Sequence, residues 1–271
     1  MRLAKTATVS NFERLKPPYV GVTADLVIRQ MYEATNPLSL SLSLSLSLSL
    51  SLSCFVEKTP HFARAQRFGE NYFQELVEKC EYFSHPTNRP NFPDIKFSFI
   101  GTLQSNKVNK VIEAGYKTGL VDICETVATS KLAKKLNDAV VSANENANLL
   151  DGKLTVLVQV NTSGEESKGG CEPPYSDSVF PLISFILESC PGLGFGGLMT
   201  IGKIDDSATA FTVLNNVKHA VESEFGDSLL LANNEFTMSM GMSGDFVEAI
   251  EHGATSIRVG SSIFGVRDYP K

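Results

Sequence analysis

The chain has 271 residues, of which 42% are hydrophobic and 20% charged, enough apolar material for one large core and too little net charge for a disordered polymer. Its 24 Lys and Arg against 30 Asp and Glu give a formal charge of −6 with no dense basic run, which excludes the electrostatic footprint of a nucleic-acid binder. The five cysteines are odd in number and widely spaced, so neither a zinc site nor a disulfide framework is expected, and a reducing compartment is.

Residues 1–18 carry cations but no apolar stretch of the roughly seven residues that a secretory leader needs. No continuous apolar run approaches the ~20 residues of a bilayer span, so a cytoplasmic protein without membrane contact is expected. The first helical pattern covers residues 24–34. Residues 38–53 then alternate strictly between Leu and Ser. That period of two would give a strand with an all-Leu and an all-Ser face, but neither residue is a strong strand former, and the run is long for a strand. A repeated CT dinucleotide read in one frame encodes the same alternation. Residues 35–65 are therefore read as a disordered low-complexity insertion that includes translated noncoding sequence.

Beyond the insertion, short apolar runs at 97–100, 120–124, 154–160, 194–199, 236–238 and 256–259 read as strands buried on both faces. Helical patterns lie at 70–83, 105–114, 129–146, 176–189, 208–225 and 244–252. Within the first of these, Phe73, Leu76, Val77 and Cys80 recur at helical spacing. Repeated βα units predict an α/β fold with a parallel sheet. No G-x-G-x-x-G opens the first unit, so a TIM-type (β/α)8 barrel is favoured over an open dinucleotide-binding sheet, with residues 1–271 as a single domain.

Active sites of such barrels sit on the segments that follow the strands. Four segments stand out. Phe68-Gly69-Glu70-Asn71-Tyr72 opens a helix, where Glu70 serves either as a first-turn acid or in a site. Ser239-Met240-Gly241-Met242-Ser243-Gly244-Asp245 leads through small residues into a helix, and reads equally as an anion site or as an N-cap by Ser243. In Arg258-Val259-Gly260-Ser261-Ser262 the Gly and Ser residues directly follow the last strand and offer a backbone-rich cradle where barrel enzymes bind phosphate. Arg258 alternates with Ile257 and Val259, which turns it toward the barrel interior, where a cation needs a partner; a structural ion pair and a solvated strand end are the plainer alternatives. Residues 160–170 form a polar loop that reads as a lid or as an exposed connection.

In this order the segments, with Phe99-Ile100-Gly101-Thr102-Leu103-Gln104-Ser105-Asn106-Lys107, Gln159-Val160-Asn161-Thr162-Ser163 and Gly197-Leu198-Met199, closely resemble the pyridoxal phosphate homeostasis proteins, which share the barrel of alanine racemase. The resemblance covers residues 66–271 and resumes upstream at residues 24–34. It implies a pyridoxal 5'-phosphate carrier or buffer without turnover. Ser239, Gly241 and Ser243 on one loop and Gly260, Ser261 and Ser262 on the other would cradle the phosphate. Arg258 would face the pyridine nitrogen, with Asn71 beside the ring and Met199 packed near it. The partners it implies are the cofactor itself and the apoenzymes that use it; a monomer is expected.

The chain departs from that pattern at the lysine. Family members carry Val-Ser-Lys-Thr-Lys-Pro on the first strand, whose first Lys forms the imine with the cofactor, whereas this chain reads Tyr19-Val20-Gly21-Val22-Thr23. Lys5 and Lys16 lie at the wrong distance and read as surface residues. Ser98 and Thr102 stand where the family commonly has His. Two alternatives remain open: a racemase- or decarboxylase-like barrel enzyme, against which stands the expectation that the chain ends without the β domain those enzymes append, and a non-functional variant lacking the imine lysine.

Overall fold

The computed structural model describes residues 67–91, 94–147, 152–203, 205–232, 235–258 and residue 260. The insertion at 35–65, the helical pattern at 24–34, Lys5, Lys16 and residues 19–23 lie outside the described residues.

Among the described residues, seven strands form one sheet in chain order: β1 (Arg67–Glu70), β2 (Lys96–Phe99), β3 (Val121–Val127), β4 (Leu154–Gln159), β5 (Leu193–Met199), β6 (Thr237–Met242) and β7 (Ser256–Arg258). Every pairing is parallel. Helices alternate with them: α1 (Phe73–Ser84), α2 (Val108–Val111), α3 (Ser130–Ala147), α4 (Tyr175–Ser189), α5 (Ser207–Phe225) and α6 (Phe246–Glu251). The result is a nearly closed TIM-type barrel, in which β1 and β7 each have one strand neighbour among the described residues.

The chemistry of the runs explains the layers. Leu154, Val156, Leu157 and Val158 of β4 are all buried, as a strand walled by its neighbours and covered by helices must be. In α1, Leu76, Cys80 and Phe83 share one buried stripe, and the Phe83 ring packs 5.8 Å from that of Phe97 on β2. Burying each such side chain is worth about 1.5–3 kcal/mol. The glycines of β5 are steric: a Cβ at Gly197, where φ is +137°, would lie 2.1 Å from the Thr237 carbonyl oxygen on β6. The register also shifts beside it, between Val156 and Leu157, so β5 bends where its side chains are smallest.

Several boundaries differ from the sequence expectation, among them the end of β3, which runs to Val127 rather than to residue 124. Gly69 and Glu70 belong to β1, and α1 starts at Phe73 rather than at residue 70. The pattern at 105–114 resolves into a 3-10 turn (Ser105–Lys107), α2 and a π-helical turn (Ile112–Tyr116). β6 runs on to Met242, so Ser239, Met240 and Gly241 are strand residues. α6 begins only at Phe246, behind an N-cap residue Asp245, which removes Ser243 from that role.

Candidate functional site

The C-terminal ends of the strands are tied together by short polar links. Asn71, exposed, follows β1 directly. A Cβ at Gly101, after β2, would sit 1.8 Å from the Asn71 carbonyl oxygen, so only glycine lets the two loops touch. Thr126 of β3 donates its hydroxyl to the Gly101 carbonyl at 2.6 Å. Met199 ends β5, fully buried, in register with Gln159 on β4 and Ser239 on β6. The next residue, Thr200, shares a 2.8 Å hydroxyl contact with Thr162.

The interior of this end holds a buried polar cluster. Ser239 is fully buried; its Oγ donates to Glu125 Oε2 at 2.6 Å and accepts from Arg258 Nη1 at 2.5 Å. Arg258 Nη2 donates to the Thr200 carbonyl at 2.6 Å, and Nη1 lies 4.0 Å from Glu125 Oε2. Side-chain exposures of 10% for Arg258 and 6% for Glu125 mean that each charge would be costly alone. Burial pulls the Arg258 guanidinium below its ordinary range, against which the Glu125 and Asp245 carboxylates act. Arg258 therefore does face the barrel interior, and its partner is Glu125, which the sequence reading did not single out. The signal was present: a carboxylate between Cys124 and Thr126, in a strand buried on both faces, demands a cation just as Arg258 demands an anion.

The loops after β6 and β7 meet where the Gly260 N–H donates to Ser243 Oγ at 3.1 Å. Asp245 Oδ1 accepts from the Met242 N–H at 2.6 Å and fixes the turn between them. Gly241 has φ of +91°, and a Cβ there would meet Ala249 Cβ at 2.5 Å, so this glycine lets α6 close onto β6. Ser261 and Ser262 lie outside the described residues. Of the residues expected at the site, the structure thus joins Ser239 with Arg258 and Ser243 with Gly260, while Asn71 and Met199 sit at the ends of β1 and β5.

Glu70 belongs to the barrel wall. Its carboxylate pairs with Lys79 of α1, which is 2% exposed and also lies 3.6 Å from Glu75. The polar loop after β4 is organised by buried Asn161. Its Oδ1 accepts from the Ser163 and Gly164 N–H groups at 3.2 and 3.1 Å, and its Nδ2 donates to the Glu165 carbonyl at 3.0 Å and to Glu172 at 2.6 Å. The loop is therefore a self-supporting turn. Ser98 is buried and accepts from Arg67 Nη1 at 3.4 Å, while Thr102 is exposed. Among the described residues no group of three or more His, Cys, Asp or Glu could hold a metal, and no helix is long and apolar enough to cross a membrane.

No family model matches the chain. Curated relatives do: among them, the pyridoxal phosphate homeostasis protein of Bos taurus is 39% identical over 216 residues, 78% of this chain and 72% of the relative, and that of Caenorhabditis elegans is 39% identical over 222 residues, 80% of each. The chain belongs to the pyridoxal phosphate homeostasis protein family. The family's bacterial reach is visible in a relative from Vibrio alginolyticus, 38% identical over 208 residues, 74% of this chain and 77% of that one. Among solved structures, the fold is shared with PipY of Synechococcus elongatus with PLP bound, at a TM-score of 0.58 and 24% identity, covering 80% of this chain and all of that one. It is shared also with alanine racemase of Clostridium difficile in complex with cycloserine, at a TM-score of 0.53 and 16% identity, covering 82% of this chain and 52% of that one.

Proposed function

We propose that this member of the family binds pyridoxal 5'-phosphate at the C-terminal end of the barrel and serves intracellular homeostasis of that cofactor as a carrier or buffer, without catalytic turnover and as a cytoplasmic monomer. The observation that carries the reading is Arg258, a buried guanidinium held by Glu125, Ser239 and Thr200 at the strand ends. A ligand with an uncharged ring acceptor at one end and a dianion at the other suits this donor set. The compensated guanidinium meets the ring, and the backbone N–H groups and hydroxyls of Ser243, Gly260, Ser261 and Ser262 meet the phosphate. Ser239 serves through its bond to Arg258, because its proton is committed to Glu125. Gly241 shapes the loop, and Asn71 and Met199 flank the ring.

When bound, the cofactor supplies an electron-withdrawing ring that stabilises negative charge beside its aldehyde carbon. An Arg at the ring nitrogen disfavours protonation there and mutes that property. Residues 19–23 offer no amine, so binding rests on the cradle and is reversible.

Equilibrium dialysis against pyridoxal 5'-phosphate, followed by borohydride reduction and peptide mapping, tests the reading. Saturable binding with little fixed adduct is expected. Absence of binding would overturn the functional assignment, and alanine racemisation well above the free-cofactor rate would overturn its non-catalytic part.

A further inference from the structure

We infer that Glu125 is a positioning residue for the ring end of the site: acting through Ser239, it holds the Arg258 guanidinium in one orientation and makes that end recognise a neutral aromatic nitrogen rather than an anion. The inference rests on the cofactor reading above. Its basis is the direction of the hydrogen bonds. A carboxylate oxygen accepts, and the Ser239 hydroxyl donates to Glu125 Oε2 at 2.6 Å. The hydroxyl lone pairs are then left to accept, and Arg258 Nη1 fills that role at 2.5 Å. The Thr200 carbonyl fixes the second arm at 2.6 Å. The guanidinium plane is thus set from two sides by β5 and β6, and the orientation of the β6 partner is set from β3.

Charge leads to the same assignment. Glu125 Oε2 is 4.0 Å from Nη1, beyond a hydrogen bond but well within the range of strong attraction in a dry interior. An uncompensated guanidinium there would draw an anion. Compensated, it keeps its N–H donors while losing most of its field, and a neutral acceptor becomes its better partner. Guanidinium has five N–H donors, of which the bonds above use two among the described residues. The anionic end of a ligand is then left to the opposite loops, and a single orientation follows.

The test compares dissociation constants for pyridoxal 5'-phosphate and for its carbocyclic analogue, in which C–H replaces the ring nitrogen, in the wild type, Glu125→Gln and Ser239→Ala. A wild-type preference of roughly tenfold for the nitrogen-bearing ligand is expected, the factor that one hydrogen bond to a charged group supplies. Both variants should bring it below about threefold, whereas damage to the fold alone would weaken the two ligands equally. Inorganic phosphate should also compete more strongly in Glu125→Gln than in the wild type, because the freed guanidinium attracts it. Ser239→Ala keeps both charges and serves if Glu125→Gln does not fold. An undiminished preference in the variants, or no preference in a wild type that binds the cofactor, overturns the inference alone. A wild type that binds neither ligand overturns the functional reading, and this inference with it.

Discussion

Glu125 and Ser239 are 114 residues apart in sequence yet share a 2.6 Å bond, and that separation explains which site residues could be read in advance. Arg258 was legible because a cation alternating with Ile257 and Val259 is unusual on a barrel strand. Glu125 was passed over because its meaning lies in a partner three strands away. The phosphate loops carry the expectation belonging to this scale. On the proposed reading, replacing Ser261 and Ser262 with Ala would remove two donors to a dianion, each worth about 1.5–3 kcal/mol when well placed. Affinity should fall further for pyridoxal 5'-phosphate than for pyridoxal in parallel titrations; equal losses would remove those serines from the cradle.

Among the elements, β4 and β5 were readable as largely apolar runs because parallel strands covered on both faces need no polar alternation, whereas β3 was read only as far as residue 124, its second half being broken by Glu125 and Thr126. β1 was not, since Arg67, Gly69 and Glu70 break the apolar pattern for reasons outside the strand: Arg67 pairs with Asp122 across the sheet and Glu70 with Lys79 on α1. The end of β6 was taken for a turn because Ser239 and Gly241 are small, and only the fold shows what each is small for. Gly197 tests this account of small residues. Gly197→Ala places a methyl 2.1 Å from the Thr237 carbonyl at a φ of +137°, so β5 and β6 must separate. A loss of about 2–4 kcal/mol is expected in urea titration, whereas substitution of exposed Gly244 by Ala, with nothing within 4 Å of an added Cβ and no positive φ, should stay within about 0.5 kcal/mol.

At the scale of the molecule, the buried thiols couple the core to pH. Burial raises Cys80 and Cys171 from 9.0 to about 12 and Cys124 to about 11. Above pH 9.0 the unfolded chain releases these protons while the folded chain keeps them, so stability is whole below pH 9.0 and declines as pH rises toward 11 and 12. Each thiol contributes a slope of about 1.4 kcal/mol per pH unit within its window. Urea midpoints measured from pH 8 to 11 should fall steadily, and replacing Cys124 with Ala should make the decline shallower. The insertion expected from the sequence at residues 35–65 gives a second prediction at this scale. Removing residues 35–65 and placing Val-Ser-Lys-Thr-Lys-Pro before Ala24 should produce a borohydride-stable adduct on the first introduced Lys; recovery of the adduct on Lys16 in the unaltered chain would contradict it.

The sheet runs in strict chain order, and its strands lengthen toward the middle: four residues each in β1 and β2, seven in β3, six in β4, seven in β5, six in β6 and three in β7. Among the described residues every ladder therefore links segments that are also neighbours along the chain, and the loop-closure entropy of these pairings is paid in small steps. Local openings should start at the outer units and leave the centre closed, as in a cooperative foldon flanked by weaker ones. Native-state hydrogen exchange should show this as graded protection, with amides of β4 and β5 exchanging through global unfolding, and those of β1 and β7 exchanging orders of magnitude faster through partial opening.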